Sequence, residues 1–243
     1  MKIALLGYGK MGKEIEKVAL ARNHSVSLFI DINNLQELTE DNLKKADVAI
    51  DFSIPAGAYE NIMKCFKADV PIVCGTTGWL DRLDEIINCC RTEMNTFFYA
   101  SNYSIGMNLF FDINKRLAKL MNRFDDYEVA IEETHHIHKL DAPSGTAITL
   151  AQDIIKELDR KERWALVPEK LQNSVPITAF RKDEVPGTHV ITYNSAVDHI
   201  RIEHAAHNRK GLALGAVLAA EFIKDKKGYY TMNDLMNTGT DER

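Results

Sequence analysis

The segment that most restricts the fold of this chain is Gly7-Tyr8-Gly9-Lys10-Met11-Gly12, a G-x-G-x-x-G pattern near the first residue. A β-rich run, Lys2–Leu6, precedes it, and a stretch with apolar residues at helical spacing, Met11–Ala21, follows it. Between a strand and a helix, the first glycine makes a tight turn, the second lets a phosphate approach the backbone, and the third allows close packing. The pattern predicts a dinucleotide-binding loop; the alternative is an ordinary strand-to-helix turn.

The first hundred residues alternate short β-rich runs with helical stretches, which predicts a parallel sheet with helices on both faces. The predicted strands are Lys2–Leu6, Val26–Ile30, Val48–Asp51, Ile72–Cys74 and Phe97–Ala100, and the predicted helices are Met11–Ala21, Gly57–Ala68 and Leu80–Cys90.

The pattern changes after the first hundred residues and indicates a second domain, of the α+β class, with an antiparallel or mixed sheet. Its predicted helices are Met107–Met121 and Thr146–Leu158, and its predicted strands are Tyr127–Glu132, Val175–Phe180, Thr188–Tyr193 and His199–Ala205. A last helix, rich in small residues, is predicted at Leu212–Ile223.

Composition excludes several classes of protein. The formal net charge is -5 without a basic block, which argues against a nucleic-acid-binding protein. No window approaches 18 apolar residues, and the first residues lack a secretory signal pattern, so we expect no membrane span and no export. The four cysteines form no CxxC pair, which is typical of reduced thiols in a cytoplasmic protein.

Asp31 ends the second predicted strand at the distance where a dinucleotide-binding unit places its ribose-binding acid. A carboxylate there accepts hydrogen bonds from the ribose hydroxyls and repels a 2′-phosphate. The next residues, Ile32, Asn33 and Asn34, include no arginine. We therefore expect NADH to be used at least as well as NADPH; the alternative is an aspartate that caps a helix or a strand-end turn.

Loops at the carboxyl ends of parallel strands line the ligand crevice of such sheets. Gly75-Thr76-Thr77-Gly78 follows the fourth strand, and Thr76 and Thr77 offer backbone and hydroxyl groups to a nicotinamide. Asp51-Phe52-Ser53 is similarly placed after the third strand. Taken alone, either segment could equally be a common flexible loop.

The stretch from Glu132 to Ala147 is the most informative for chemistry. His135, His136, His138 and Lys139 fall within five positions, between a predicted strand and a predicted helix. Ser144 is a good N-cap, so the N–H groups of the following residues would face an anion such as a carboxylate. A lysine beside this helix start adds positive charge and can transfer a proton.

Two other interpretations of the histidines remain open at this point. They could belong to a solvated loop, or they could bind a metal ion. The spacing is HHxH, which is neither HExxH nor another expected zinc pattern, and no cysteine is close in sequence. We therefore expect no metal site.

These residues resemble one family in particular. Glu133 to Ala147 matches E-x-H-H-x-x-K-x-D-A-P-S-G-T-A, the most specific motif of the 4-hydroxy-tetrahydrodipicolinate (dihydrodipicolinate) reductases. The resemblance extends over nearly the whole chain, through Gly75–Gly78, Ala100–Gly106, Gly187–His189 and Gly215-Ala216 in the same order.

The resemblance implies a fold and an activity. Residues 1–104, completed by 208–243, would form a Rossmann-like dinucleotide-binding domain, and residues 105–207 would form a central mixed-sheet domain that binds substrate and builds a homotetramer. The implied activity is the NAD(P)H-dependent reduction of 4-hydroxy-tetrahydrodipicolinate, a small dicarboxylate, in the diaminopimelate and lysine pathway.

The resemblance also implies roles for individual residues. His135 matches the proton donor, Lys139 the second catalytic residue, and His136, Gly145 and Thr146 the substrate-binding positions. The implied cofactor-binding residues are Gly7, Tyr8, Gly9, Lys10, Met11, Gly12, Asp31, Gly75, Thr76, Thr77, Ala100, Ser101, Asn102 and Tyr103.

The sequence departs from the family pattern twice. Many members have a glycine loop one residue longer, with arginine before Met-Gly, where this chain has Lys10. Many also carry a basic residue after the ribose acid, where this chain has Ile32. Both departures put the usual tolerance for NADPH in doubt.

Two other functions would be compatible with the same fold: another two-domain dehydrogenase, or a nucleotide-sensing protein without catalysis. Neither has need of the central motif.

Overall fold

A computed structural model describes residues 1–169, 171–208 and 210–236. The chain divides into two compact units: Met1–Ile105 together with Lys210–Arg243, and Gly106–Arg209. Part of the predicted C-terminal completion, residues 237–243, lies outside the described residues. In the part of the chain that is described, no helix has the length and apolar character needed to cross a bilayer.

The strands and helices follow one another in a simple order. The strands are β1 (Lys2–Leu6), β2 (Ser25–Ile30), β3 (Val48–Asp51), β4 (Ile72–Cys74), β5 (Thr96–Tyr99), β6 (Glu128–His135), β7 (Arg163–Leu166), β8 (Ser174–Arg181), β9 (Thr188–Asn194), β10 (His199–Ala205) and β11 (Gly228–Tyr230). The helices are α1 (Lys10–Ala21), α2 (Glu40–Leu43), α3 (Pro55–Lys67), α4 (Leu83–Thr92), α5 (Ile105–Met121), α6 (Gly145–Glu157), α7 (Lys210–Ile223) and α8 (Met232–Met236), with single 3-10 turns at Leu35–Glu37 and Leu80–Arg82.

The first unit is built on a six-stranded parallel sheet in the order β11-β5-β4-β3-β1-β2. The strand order reverses between β1 and β3, and ligands of open parallel sheets bind beside the carboxyl ends of strands at such a point. The predicted Rossmann-like architecture is confirmed.

Both faces of this sheet are buried, which is why its central strands are almost wholly apolar. On one face lie residues of α3 and α4, among them Ile62 and Ile86. On the other face lie α1 and α7. The small residues of α7 let it approach closely: a Cβ on Gly215 would stand 1.7 Å from the carbonyl oxygen of Tyr103.

The second unit is a five-stranded mixed sheet in the order β10-β9-β6-β8-β7. Strand β6 runs parallel to β8 and antiparallel to β9. Along β6 every second residue is buried, beginning with Val129 and Ile131, and α5 and α6 supply Phe110 and Leu150 to the same core. The predicted mixed sheet with two helices is confirmed.

Several boundaries differ from the predictions. The strand predicted to end at Glu132 continues to His135, so part of the supposed loop is β structure. The helix predicted from Leu80 begins at Leu83, after a 3-10 turn. The short elements α2, β7, β11 and α8 were not predicted, because three to five residues carry too little periodicity to be recognised.

Candidate active site

The glycine loop leaves β1 and enters α1 with an open backbone. Gly7 has φ +94, and a Cβ there would lie 2.2 Å from the carbonyl oxygen of Phe52. A Cβ on Gly12 would lie 2.4 Å from the carbonyl oxygen of Gly7, so this position needs glycine for packing. Gly9 has nothing within 4 Å of its Cβ position and caps α1 without a side-chain hydrogen bond. The first N–H groups of α1 therefore remain available to an anion.

A cavity of about 310 Å³ adjoins this loop within the first unit. It brings together three loops that follow β1, β3 and β4, as expected for the carboxyl edge of a parallel sheet. The lining residues are Gly9, Lys10, Met11, Phe52, Ser53, Pro55, Gly75, Thr76 and Thr77. Asp31 and Ala100–Tyr103, which were predicted to bind the same cofactor, are not among them.

The Thr76 hydroxyl faces inward. It donates to Oδ1 of Asp51 at 2.5 Å, and the Thr76 carbonyl accepts from Trp79 Nε1 at 2.7 Å. Asp51 is fully buried and also accepts hydrogen bonds from Ser53 and Asn61. Burial raises the pKa of Asp51, and these hydrogen bonds oppose that rise. The network fixes two lining loops to each other, which leaves exposed Thr77 as the threonine whose hydroxyl a ligand can reach.

Asp31 lies directly after β2 and is only partly buried. Its Oδ1 accepts the backbone N–H of Asn33 at 2.6 Å, and its own N–H donates to the side chain of Asn34 at 2.7 Å. One carboxylate oxygen thus serves the strand-end turn that was the alternative interpretation. Among the described residues, none donates a hydrogen bond to Oδ2.

The loop after β5 has a buried tyrosine at one end and an exposed serine near the other. The Tyr103 hydroxyl is buried and donates to the carbonyl of Cys74 at 2.8 Å, so the side chain braces the loop after β4. Asn102 Oδ1 accepts the N–H of Ser104 at 2.9 Å. Ser101 is exposed and Ala100 is buried.

Tyr8 and Lys10 complete the predicted cofactor set. The Tyr8 ring packs edge-on against Phe29 at 4.7 Å, and its hydroxyl donates to Glu16. That hydrogen bond is the main cause of a raised Tyr8 pKa. Lys10 is exposed on the first turn of α1 and lines the cavity.

In the second unit, the end of β6 places two ionisable side chains on the buried face of the sheet. Glu133 and His135 continue the alternation begun by Val129 and Ile131. Nδ1 of His135 lies 3.2 Å from Oε2 of Glu133. His189 stands opposite Glu133 on β9, with its ring centroid 5.2 Å from that of His135. His135 is therefore held by strand structure, not by a solvated loop.

Hydrogen bonds fix the charge of this buried group. Desolvation opposes ionisation of Glu133, but the nearby His135 ring and the hydrogen bond from Ser144 outweigh it and lower the Glu133 pKa to about 2. Burial, together with repulsion from His135, lowers the pKa of His189 to about 4. At neutral pH the cluster thus contains a carboxylate and a neutral His189.

The segment after β6 carries the remaining basic side chains. Nζ of Lys139 lies 2.8 Å from both carboxylate oxygens of Asp141, and this hydrogen bond is the main cause of a lowered Asp141 pKa. His136 is half-buried, whereas exposed His138 contacts Glu184 at 3.0 Å. Of the four basic residues, His135 is buried and His136 is half-buried, while His138 and Lys139 each pair with an acidic side chain.

The start of α6 has the predicted cap. Ser144 Oγ accepts the N–H of Ala147 at 3.2 Å, and the Ser144 N–H donates to Glu133 at 3.0 Å. Gly145 is exposed, with nothing within 4 Å of its Cβ position, and Thr146 follows it. An anion can therefore approach the first N–H groups of this helix.

Three buried residues could in principle bind a metal ion. One donor atom each from Glu133, His135 and His189 lie within 4.8 Å of one another. The cluster was not visible in the sequence spacing, because His189 belongs to another strand. Glu133 accepts the hydrogen bonds from Ser144 and Arg181 at Oε1, whereas its Oε2 faces the two histidine rings.

The sequence patterns assigned no role to Glu133, Arg181 or His189, and they placed Asp51 only in a loop beside the ligand crevice. The available signal was the two-residue period of β6, which would have placed Glu133 and His135 on the apolar face. Strand register brings the other two partners of the second unit to them, and register cannot be read from local spacing.

Comparisons with known proteins agree along the whole chain. Residues 1–103 match the family model described as "Dihydrodipicolinate reductase, N-terminus", and residues 106–236 match "Dihydrodipicolinate reductase, C-terminus". A 4-hydroxy-tetrahydrodipicolinate reductase of Christiangramia forsetii is 49% identical over 239 residues, covering 98% of either chain.

Solved structures share the fold. A dipicolinate-bound dihydrodipicolinate reductase from Paenisporosarcina sp. TG-14 has a TM-score of 0.76 at 23% identity, covering 96% of this chain and 98% of its own. A myo-inositol dehydrogenase from Corynebacterium glutamicum has a TM-score of 0.53 at 13% identity, covering 94% of this chain and 90% of its own.

Proposed function

The chain belongs to the dihydrodipicolinate reductase family, and on that premise we propose how its residues reduce 4-hydroxy-tetrahydrodipicolinate to tetrahydrodipicolinate. The observation that carries the proposal is the juxtaposition of His135, held by a buried carboxylate, with the open start of α6. A proton donor and an anion-binding helix start are what the reduction of a cyclic imine dicarboxylate needs.

The family implies a pyridine nucleotide cofactor, and the first unit fits one. The glycine loop presents free helix N–H groups and, at Gly9, an unobstructed backbone, as a pyrophosphate requires. Lys10 supplies positive charge at the same place, and Gly75 and Thr77 line the adjoining cavity. The bound nucleotide supplies a hydride.

We assign NADH as the preferred form of the cofactor. Within the described residues, Oδ2 of Asp31 accepts no hydrogen bond, so it can accept one from a ribose hydroxyl, while its charge repels a 2′-phosphate. The neighbouring Ile32 is highly exposed and apolar, so it offers no counter-charge to such a phosphate. Both features favour the unphosphorylated ribose.

Substrate binding uses the basic segment and the start of α6. The N–H groups of Gly145 and Thr146 donate to one carboxylate, with the helix dipole adding to the attraction. His136 and Lys139 contact the dicarboxylate from the preceding segment. Lys139 pairs with exposed Asp141 in the free protein. On binding, a substrate carboxylate takes the place of Asp141 as the anion beside Lys139.

His135 completes the reaction as proton donor. The substrate loses water to give a conjugated imine, a hydride adds to the ring, and the electron pair displaced onto the ring nitrogen system takes one proton. Because Nδ1 of His135 faces Glu133, Nε2 is the ring nitrogen that delivers this proton. Lys139 stabilises the negative charge that develops before the transfer.

The test is oxidation of NADH, followed by the loss of its near-ultraviolet absorbance, on addition of the freshly made product of the preceding synthase. The matched variants are His135→Ala and His138→Ala, two histidines of one segment of which only the first has a role here. We expect turnover by the wild type and by His138→Ala, and loss of at least about 10²-fold in kcat for His135→Ala. No NADH oxidation by the wild type would overturn the function.

We further propose a homotetramer acting in the cytoplasm. Strand β10 supports assembly, because it is an edge strand with partly exposed apolar residues such as Ile200. The four free cysteines support a reducing compartment. Light scattering after size exclusion should give about four times 27.5 kDa; a monomeric mass would remove the assembly proposal.

A further inference from the structure

The carboxylate of Glu133 joins three parts of the second unit. Its Oε1 accepts the Ser144 N–H at 3.0 Å, at the start of α6, and lies 3.2 Å from Nη2 of Arg181 on β8. Its Oε2 lies 3.2 Å from Nδ1 of His135 on its own strand and 3.9 Å from Nε2 of His189 on β9. One fully buried side chain thus links the donor histidine to the helix start that the proposed function uses.

Arg181 extends this connection to the segment that carries Lys139. Its Nε donates to the carbonyl of Lys139 at 3.2 Å, and its Nη2 donates to the carbonyl of Asp141 at 2.5 Å as well as to Glu133. Arg181 also stands directly opposite His135 in the register of β6 and β8. A single guanidinium therefore ties the backbone of the basic segment to the buried carboxylate.

Packing alone does not explain this choice of residues. Glu133 occupies a position on the apolar face of β6, next in the alternation after Val129 and Ile131. A buried ion pair at such a place is commonly no more stabilising than apolar side chains of the same volume. What the carboxylate adds is a fixed orientation of three separate groups, which an apolar side chain cannot provide.

We propose that Glu133, with Arg181, is a positioning residue that sets the His135 ring, the start of α6 and the Lys139 segment in one arrangement for proton delivery and carboxylate binding. This inference rests on the proposed function. Neither residue touches the substrate; both act through their neighbours. Glu133 fixes the Nδ1–H tautomer of His135, so that Nε2 faces the substrate. Arg181 holds the backbone of the Lys139 segment in place through its hydrogen bonds to the carbonyls of Lys139 and Asp141.

The first test compares Glu133→Gln with Glu132→Gln. The two positions are adjacent on β6, but Glu132 is exposed on the opposite face. In Glu133→Gln the new amide would keep an acceptor for the Ser144 N–H and lose the charge. We expect kcat to fall about 10–100-fold for Glu133→Gln, with unchanged NADH affinity, and no change for Glu132→Gln. Equal kcat values for the two variants would overturn the proposal.

The pH profile separates positioning from a merely structural role. The carboxylate places a negative charge 3.2 Å from the ring of the donor, so its removal should move the basic limb of the kcat profile to lower pH. The other ionisable groups of this cluster stay in place. Arg181 on β8 and His189 on β9 lie beside the donor, His204 on β10 stands opposite His189, and Lys139 pairs with Asp141 on the segment after β6. A profile with lower kcat but an unmoved limb would contradict the assigned role of Glu133.

Arg181 is tested by chemical rescue. Arg181→Ala should raise the substrate KM and lower kcat, and added guanidinium should restore part of both, because the side chain is partly open to solvent. Arg123→Ala, at an exposed position of the same unit, is the matched control. If guanidinium acts alike on the variant, the control and the wild type, the part assigned to Arg181 is wrong.

A measurement without turnover distinguishes this inference from the proposed function. Long-range ¹H–¹⁵N spectra of the histidine rings report which nitrogen of His135 carries the proton. We expect Nδ1–H in the wild type and a mixture of tautomers in Glu133→Gln. That result would stand even if the wild type failed to oxidise NADH, whereas identical ring spectra would reject the positioning role even in an active reductase.

Discussion

His189 makes the stability of the second unit depend on pH in a predictable window. Burial, with His135 nearby, lowers its pKa from 6.5 to about 4, so the unfolded chain binds this proton more tightly than the folded one. The stabilising contribution of neutral His189 is therefore fully present above pH 6.5 and is lost as pH falls through about 4. At about 1.4 kcal/mol for each pH unit between the two pKa values, the full contribution is about 3.5 kcal/mol, of which about 3 kcal/mol is lost by pH 4.

The perturbation that isolates this effect is His189→Gln, which cannot take up a proton. Between neutral pH and pH 4, the free energy of unfolding should fall by about 3 kcal/mol more in the wild type than in the variant. The Glu133 carboxylate, with a pKa of about 2, titrates below this window and does not confuse the comparison. His199→Gln, an exposed histidine on β10, is the control and should retain the wild-type dependence.

The assay is denaturant unfolding at a series of pH values with 5-fluorotryptophan as the probe. The chain has two tryptophans, Trp79 in the first unit and Trp164 in the second, so two fluorine resonances report the units separately. We expect the difference between wild type and His189→Gln in the Trp164 transition only. Parallel curves for wild type and variant would refute the argument from burial.

Three further changes address the chemistry. Lys139→Ala should lower kcat by about 10²–10⁴-fold while NADH still binds; turnover near wild type would remove Lys139 from the mechanism. Asp31→Ala should lower kcat/KM for NADH relative to kcat/KM for NADPH, and an unchanged ratio would remove the ribose assignment. Incubation with EDTA should leave turnover unchanged, because the proposed mechanism uses no metal ion; clear inhibition would point to a cation at Glu133, His135 and His189.

Sequence patterns predicted most of the architecture because the long elements are strongly periodic. The bounds of the six predicted helices lie within a few residues of the observed ones, and the glycine loop stands between β1 and α1 as predicted. Strand β11 was missed since its three residues become a strand only by pairing with β5, more than a hundred positions away in the chain. Pairing of that kind leaves no local signal.

The candidate site was predictable in its residues but not in its connections. Ser144 was recognised as a cap from its residue type. The inward turn of the Thr76 hydroxyl depends on a buried aspartate in a different loop. The contacts of Glu133 with Arg181 and His189 depend on the register of three strands, which the spacing of histidines along one segment does not contain.

The discontinuity of the first unit constrains how the chain can fold during synthesis. The apolar side chains of α7, including Val217 and Ile223, cover one face of a sheet whose first five strands are made more than a hundred residues earlier. A nascent chain released only as far as Ile105 would leave Leu5 and Phe98 facing water on that side. The first hundred residues are therefore a poor choice for expression as a separate module, and that face is the surface on which a chaperone would be expected to bind until translation ends.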